Sequence, residues 1–138
     1  MIFRQTAEWN RHDRREGSAT AQLTPPARDR IVDSARVGFV TYLVSVATGV
    51  DAGEISAPTR HSAEAALARQ IAMYLAHVGF SWPMSRVGAA FGRDRTTASH
   101  ACHRVEDLRD APDFDAALDH LEACVRAAPT LSGVGQYA

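Results

Sequence analysis

The run Phe91-Gly92-Arg93-Asp94-Arg95-Thr96-Thr97-Ala98-Ser99-His100-Ala101-Cys102 gathers the side chains with the most specific chemistry in this chain of 138 residues. A glycine is followed by charged and hydroxyl residues and then by the start of an apolar-periodic helix. Ala98, Ala101, Cys102, Val105 and Leu108 fall at i, i+3, i+4, i+7 spacing, the pattern of a helix packed along one side. Thr96, Ser99, His100 and His103 fall on the other face. Asp94 can cap the helix through its side-chain oxygen, which clusters Arg93, Asp94, Arg95, Thr96 and Thr97 at the N-terminal tip. Those residue types match what base edges offer. Arg forks onto guanine O6 and N7, Asp accepts from cytosine N4, and a Thr methyl packs on the thymine methyl.

A tip of this kind needs a scaffold to hold it. Met84 to Phe91 reads as a short helix with Val87, Ala90 and Phe91 on one side. Pro83 stands in its first turn, where a missing N–H costs nothing. Gly92 then supplies the tight corner that joins two helices into a helix-turn-helix. On these physical grounds alone, two core helices and a turn fit the pattern as well as a DNA reader does.

The stretch Arg69-Gln70-Ile71-Ala72-Met73-Tyr74-Leu75, followed by Ser81-Trp82-Pro83, Val87-Gly88 and Phe91 to Cys102, resembles the C-terminal DNA-binding domain of DnaA, the bacterial replication initiator. That domain's signature runs A-R-x-R-Q-x-A-M-x-L, then serine-leucine-proline, then F-G-G-R-D-H-T-T-V-x-H-A. The resemblance spans roughly residues 35–110. It implies an all-helical fold of the Trp-repressor type, with the recognition helix in the major groove of double-stranded DNA. Position by position, it implies that Asp94, Thr96 and Thr97 contact bases, and Arg95 stands where the family has a base-contacting histidine. It implies that Trp82 and Pro83 touch the phosphate backbone, and Arg69 matches the motif arginine ahead of the long helix. Arg86, Arg93 and His100 complete the expected DNA-binding set.

Three departures from the family pattern bear on the DNA site. There is one glycine, Gly92, where the family has two. Leu67 replaces the arginine that reads the minor groove. The family's basic loop is here Ser56-Ala57-Pro58-Thr59-Arg60-His61-Ser62-Ala63-Glu64. A site other than the initiator's own box is expected.

Composition narrows the remaining classes. Formal net charge is −1 and 46% of residues are apolar, ordinary for a globular domain and unlike a strong non-specific DNA binder. All 15 basic residues are Arg, the better residue for forked contact to guanine and phosphate. Without Lys there is no G-x-x-x-x-G-K-[ST] phosphate loop, so an initiator-like domain without the ATPase module, binding no nucleotide and no cofactor, is expected. Residues 81–105 carry Arg86, Arg93, Arg95 and Arg104 against Asp94; residues 106–122 carry seven acids against Arg109. Phosphates would repel that acidic segment and turn it away from DNA, although a solvated helix face is the simpler explanation.

The fold class expected is all-α, a compact bundle of five to six helices with flexible termini. Residues 1–26 read as a loosely docked or disordered tail, 27–128 as the helical domain, and 129–138 as a second tail. A helix over 28–49 would place Ile31, Val32, Ala35, Phe39, Leu43 and Val46 near one face; the Val-rich run 37–50 also reads as a strand. It is too short for a membrane span. A short helix near Gly53–Ile55 follows. Ser62 then caps a helix running to Val78, with Ile71, Leu75 and Val78 inward and Gly79 closing it. The last helix spans Pro112 to Ala128, with Phe114, Leu118, Leu121 and Val125 at helical spacing.

His100, Cys102, His103, His120 and Cys124 do not converge from one helix face, and no C-x-x-C or H-E-x-x-H is present. No catalytic or metal site is expected, and Cys102 and Cys124 read as buried reduced thiols of a cytoplasmic, nucleoid-associated protein. The function these readings favour is a sequence-specific binder of double-stranded DNA that regulates transcription, with a second copy or another DNA-bound protein as further partner. The near-zero net charge, Leu67 and the depleted basic loop motivate an alternative, a protein-docking or replication-control adaptor built on the same fold.

Overall fold

The computed structural model describes residues 27–59 and 62–128; the two expected tails lie outside the described residues. Six helices follow in order: α1 Ala27–Thr48, α2 Ala52–Ser56, α3 Ala63–Phe80, α4 Met84–Ala90, α5 Arg95–Leu108 and α6 Pro112–Arg126. No strand occurs among the described residues, and the Val-rich run is helical as far as Thr48.

The central element is α3, buried at every position from Ile71 to His77, with α1, α5 and α6 packed around it. Its start follows the expected rule: the Ser62 hydroxyl accepts from the Ala65 N–H at 3.0 Å. Its end does not. Gly79 lies inside the helix, where a Cβ would overlap the side chain of Val125 on α6. The glycine allows two helices to approach closely, and the helix ends instead at Ser81, in the left-handed region with φ 57°.

The expected inward stripe of α1 is also corrected. Val40 and Val44 are fully buried with Asp33 and Thr41, whereas Ile31, Phe39 and Val46 face solvent together with Tyr42. The helix is apolar on two opposite faces, so periodicity alone could not choose the inner one. Its segment Asp29–Thr48 is long and apolar enough to cross a membrane by length and composition, which corrects the expectation that it is too short. Even so, Val40 and Val44 are committed to the core.

Leu118 and Val125 of α6 are buried, and Phe114 and Leu121 pack against the same core, as their spacing predicted. The acidic run is not simply a solvated face. Asp115, Asp119 and Glu122 converge on Arg109 at the end of α5, whose side chain is 7% exposed. The Tyr74 hydroxyl accepts from Arg109 Nη1 at 2.9 Å and donates to Glu106 Oε1 at 2.7 Å. This clasp lies at the C-terminal end of α5, about 20 Å along the helix from its tip. Cys102 is buried as expected, but Cys124 is exposed on α6.

Candidate nucleic-acid interface

The corner before α5 is made by backbone, with little room to vary. The last turn of α4 closes when Phe91 N–H donates to Val87 O, and Gly92 then takes φ +67°, a conformation that suits glycine. Arg93 N–H folds back to Gly88 O at 2.7 Å. The approach is so close that a Cβ on Gly88 would lie 2.8 Å from Asp94 O and 2.9 Å from Arg93 O. Asp94 then starts α5: its Oδ1 accepts the Thr97 N–H at 2.7 Å. That bond, followed by the Thr97 hydroxyl, holds the Asp94 carboxyl below the usual carboxylate range. The cap therefore supports the helix at neutral pH and weakens as pH falls below about 4.

Along α5, Ala98, Ala101, Cys102 and Val105 are buried and Leu108 is half-buried, the face that the spacing predicted. Asp94, Arg95, Thr96, Thr97 and His100 are exposed on the first turns. Between α3 and α5 lies a cleft of about 210 Å³ lined by Arg69, Gln70, Arg93, Thr97 and His100 together with Ala66, Met73 and Ala101. The two arginines brace the end of α2, whose last carbonyls have no partner within the helix. Arg69 Nε donates to Ile55 O at 2.7 Å and Nη2 to Glu54 O at 3.3 Å. Arg93 Nη2 donates to Ala57 O at 2.7 Å and Nη1 to Phe91 O at 3.2 Å. Burial, and then the neighbouring charge of Arg93, lower the Arg69 pKa. Two guanidiniums thus tie three separate segments together at one side of the tip.

The family described as "Bacterial dnaA protein helix-turn-helix" matches residues 39–105, from the middle of α1 through most of α5. Residues 39–105 are a DnaA-type helix-turn-helix. The Chromosomal replication initiator protein DnaA of Symbiobacterium thermophilum is 32% identical over 111 residues, 79% of this chain and 23% of that protein. Chromosomal replication initiator protein DnaA 2 of Chlamydia pneumoniae is 38% identical over 73 residues, 51% of this chain and 16% of that protein. The chain thus spans less than a quarter of the length of these relatives. No solved structure matches it.

Within the DnaA-type motif, the expected contact residues separate into two groups. Arg95, Thr96, Thr97 and His100 are together on the exposed face, with Asp94 holding the cap. Arg93 is a brace rather than an outward reader, and Arg86 grips Asp33 of α1 in a forked pair at 3.0 and 2.6 Å while its guanidinium lies 4.6 Å from the Trp82 ring centre. Pro83 is half-buried at the start of α4. Trp82 differs most from the surface position expected of a phosphate contact: at 1% exposure its indole is core, packed 5.2 Å from the Phe80 ring. In the sequence Gly88 stands out only as part of the Val87-Gly88 pair of the motif. Its role as the contact point of the corner depends on a backbone approach that no spacing rule reveals.

Trp82→Phe is accordingly expected to destabilise by about 1–3 kcal/mol through the smaller buried ring and the space it leaves, with nothing lost at the indole N–H, which has no hydrogen-bond partner among the described residues. DNA affinity should not change. Unfolding in urea and a mobility-shift titration check the two halves; weaker binding at unchanged stability would restore a phosphate role.

Proposed function

We propose that this chain binds double-stranded DNA sequence-specifically, setting the first turn of α5 in the major groove, and acts as a transcriptional regulator. The observation that supports this most is the exposed, Asp94-capped tip on a helix whose other face is core. Its acidic companions are gathered on Arg109 at the opposite end. Arg95 and Thr96 suit base edges, with Thr97 beside them. A backbone phosphate fits the mouth of the cleft beside Arg69 and His100, so the cleft orients the domain while the tip specifies the site. With about four phosphates neutralised, raising salt from 50 to 200 mM should cost only about two decades of affinity.

Arg95→Ala tests the assignment. Its expected cost is about 1–3 kcal/mol at the preferred site, with relaxed preference at one base pair. Binding-site selection on random duplexes measures both, and an unchanged consensus would remove Arg95 from base reading.

The docking adaptor remains the second reading, favoured by a specific observation. Arg69 and Arg93 donate to backbone carbonyls and Arg86 to the Asp33 carboxylate, which offsets one charge and leaves fewer N–H donors turned toward phosphates. Absence of any shifted band at micromolar protein and low salt would favour docking over DNA binding.

A further inference from the structure

The face of α1 that the core does not use is a continuous apolar strip. Ile31, Tyr42 and Val46 are 71%, 68% and 67% exposed and Phe39 39%. Ala35 and Gly38, also exposed, fill the spaces between them. At 3.6 residues per turn these six positions fall within about 100° of arc, opposite Val40 and Val44.

The strip is symmetric about its own middle. Ile31 and Val46, Ala35 and Tyr42, and Gly38 and Phe39 stand at equal distances on either side of the point between residues 38 and 39. A second copy turned end for end about that point sets Ile31 against Val46, Ala35 against Tyr42 and Gly38 against Phe39. Each pairing then occurs twice, as a two-fold contact requires. Two of the three pairings oppose a small residue to an aromatic one, the alternation that interlocks facing helices. Antiparallel placement also brings each helix's positive end beside the other's negative end.

Gly38 adds an independent observation. Glycine weakens a helix interior, and nothing in the packing of the described residues demands it: a Cβ there would meet none of their atoms within 4 Å. A second helix bearing Phe39 would make use of that missing side chain.

We propose that the outer face of α1 is a homodimer interface, in which two copies pair antiparallel about Gly38 and Phe39. The exposed parts of these side chains come to on the order of 1,000 Å² over both copies, the lower edge for a stable interface. A reversible dimer with a dissociation constant on the order of micromolar is expected. The proposal does not rest on DNA binding, and failure of either leaves the other standing.

Sedimentation equilibrium of the full chain from about 1 to 200 µM should show a monomer–dimer equilibrium. Tyr42→Glu should weaken it at least about tenfold without altering the helical circular-dichroism spectrum, or the melting curve at protein concentrations low enough for both chains to be monomeric. Orientation is read in a Cys124→Ser background with a short bis-maleimide. Ile31→Cys and Val46→Cys proteins should cross-link when mixed, and neither should cross-link alone. A chain that stays monomeric at the highest concentration overturns the proposal, as does self-linking of Ile31→Cys, which would mean parallel pairing. Flotation of a monomeric chain with phosphatidylglycerol vesicles, lost in Tyr42→Glu, would also overturn it by assigning the face to a membrane surface.

Discussion

Replacing Arg109 with methionine is expected to destabilise the fold by about 3–5 kcal/mol. The guanidinium is almost fully enclosed and is held on three sides: Nε by Asp115 at 2.5 Å, Nη2 by Asp119, and Nη1 by Glu122 and the Tyr74 oxygen. Asp115 and Asp119 are 44% and 64% exposed and can turn to water once the cation is gone. Glu122 at 10% cannot, and neither can the Tyr74–Glu106 pair. The loss therefore comes from buried acid left with only the longer Arg126–Glu122 contact at 3.6 Å, and adding Glu122→Gln to Arg109→Met should recover part of it. Urea unfolding measures both. A change below about 1 kcal/mol for the single substitution would mean that α6 docks through its apolar face alone.

The same cluster sets an alkaline limit. Burial, and then the hydrogen bond to Glu106, raise the Tyr74 phenol far above its ordinary pKa. The folded state therefore binds that proton more tightly than the unfolded state does. Its contribution is complete below about pH 10 and declines above it, as the unfolded phenol ionises, by up to about 1.4 kcal/mol per pH unit. Burial opposes the charge of Arg109, but the Asp115 hydrogen bond and the Tyr74 and Glu122 interactions raise its pKa overall, so the cation persists through this range. Tyr74→Phe should flatten the slope between pH 10 and about 11.5 in the same unfolding assay.

These residues also mark how far the chain could be understood before its structure. Asp94 and the Ala98–Val105 stripe were readable because a cap and a helix face are local and periodic. The same holds for Leu118 and Val125 on α6. Gly79 misled because a glycine ending an apolar run normally closes a helix, whereas its smallness here serves Val125, 46 residues away. On α1, apolar residues occupy both sides, so the stripe chosen from spacing was mostly the solvent-facing one. The arginines show the limit most plainly. Arg69 is expected at DNA from the resemblance, and Arg86 and Arg93 from the local charge and the helix tip, but their partners within the chain, such as Asp33 for Arg86, lie on distant segments that none of these signals records. Likewise, seven acids in a row of charge read as a solvated face until Arg109 is seen drawing three of them together.

Gly88→Ala is the substitution expected to separate the motif from its function. The added Cβ would meet only main chain: Asp94 O at 2.8 Å, with Arg93 O and the Asp94 carbonyl carbon at 2.9 Å. No flexible side chain can move aside, so the corner itself must open. A destabilisation of about 2–3 kcal/mol follows, the upper part of the range for an overpacked site. The atoms pushed are those that start α5, because Asp94 O accepts the Ala98 N–H and Asp94 Oδ1 the Thr97 N–H. DNA affinity should therefore fall by at least about tenfold, or 1.4 kcal/mol, at temperatures where the variant remains fully folded. Ala89→Ser, one position along on the exposed side of α4, should leave stability within about 0.5 kcal/mol and binding unchanged. Thermal unfolding and mobility shift on both variants decide the matter. If Gly88→Ala keeps the parent's stability and affinity, the corner has slack, and the aim of the α5 tip is set by the Arg69 and Arg93 braces rather than by contact between α4 and the backbone at 93–94. If stability falls alone, the tip still reaches DNA from a displaced corner, and bases are read with more tolerance than a rigid helix-turn-helix allows.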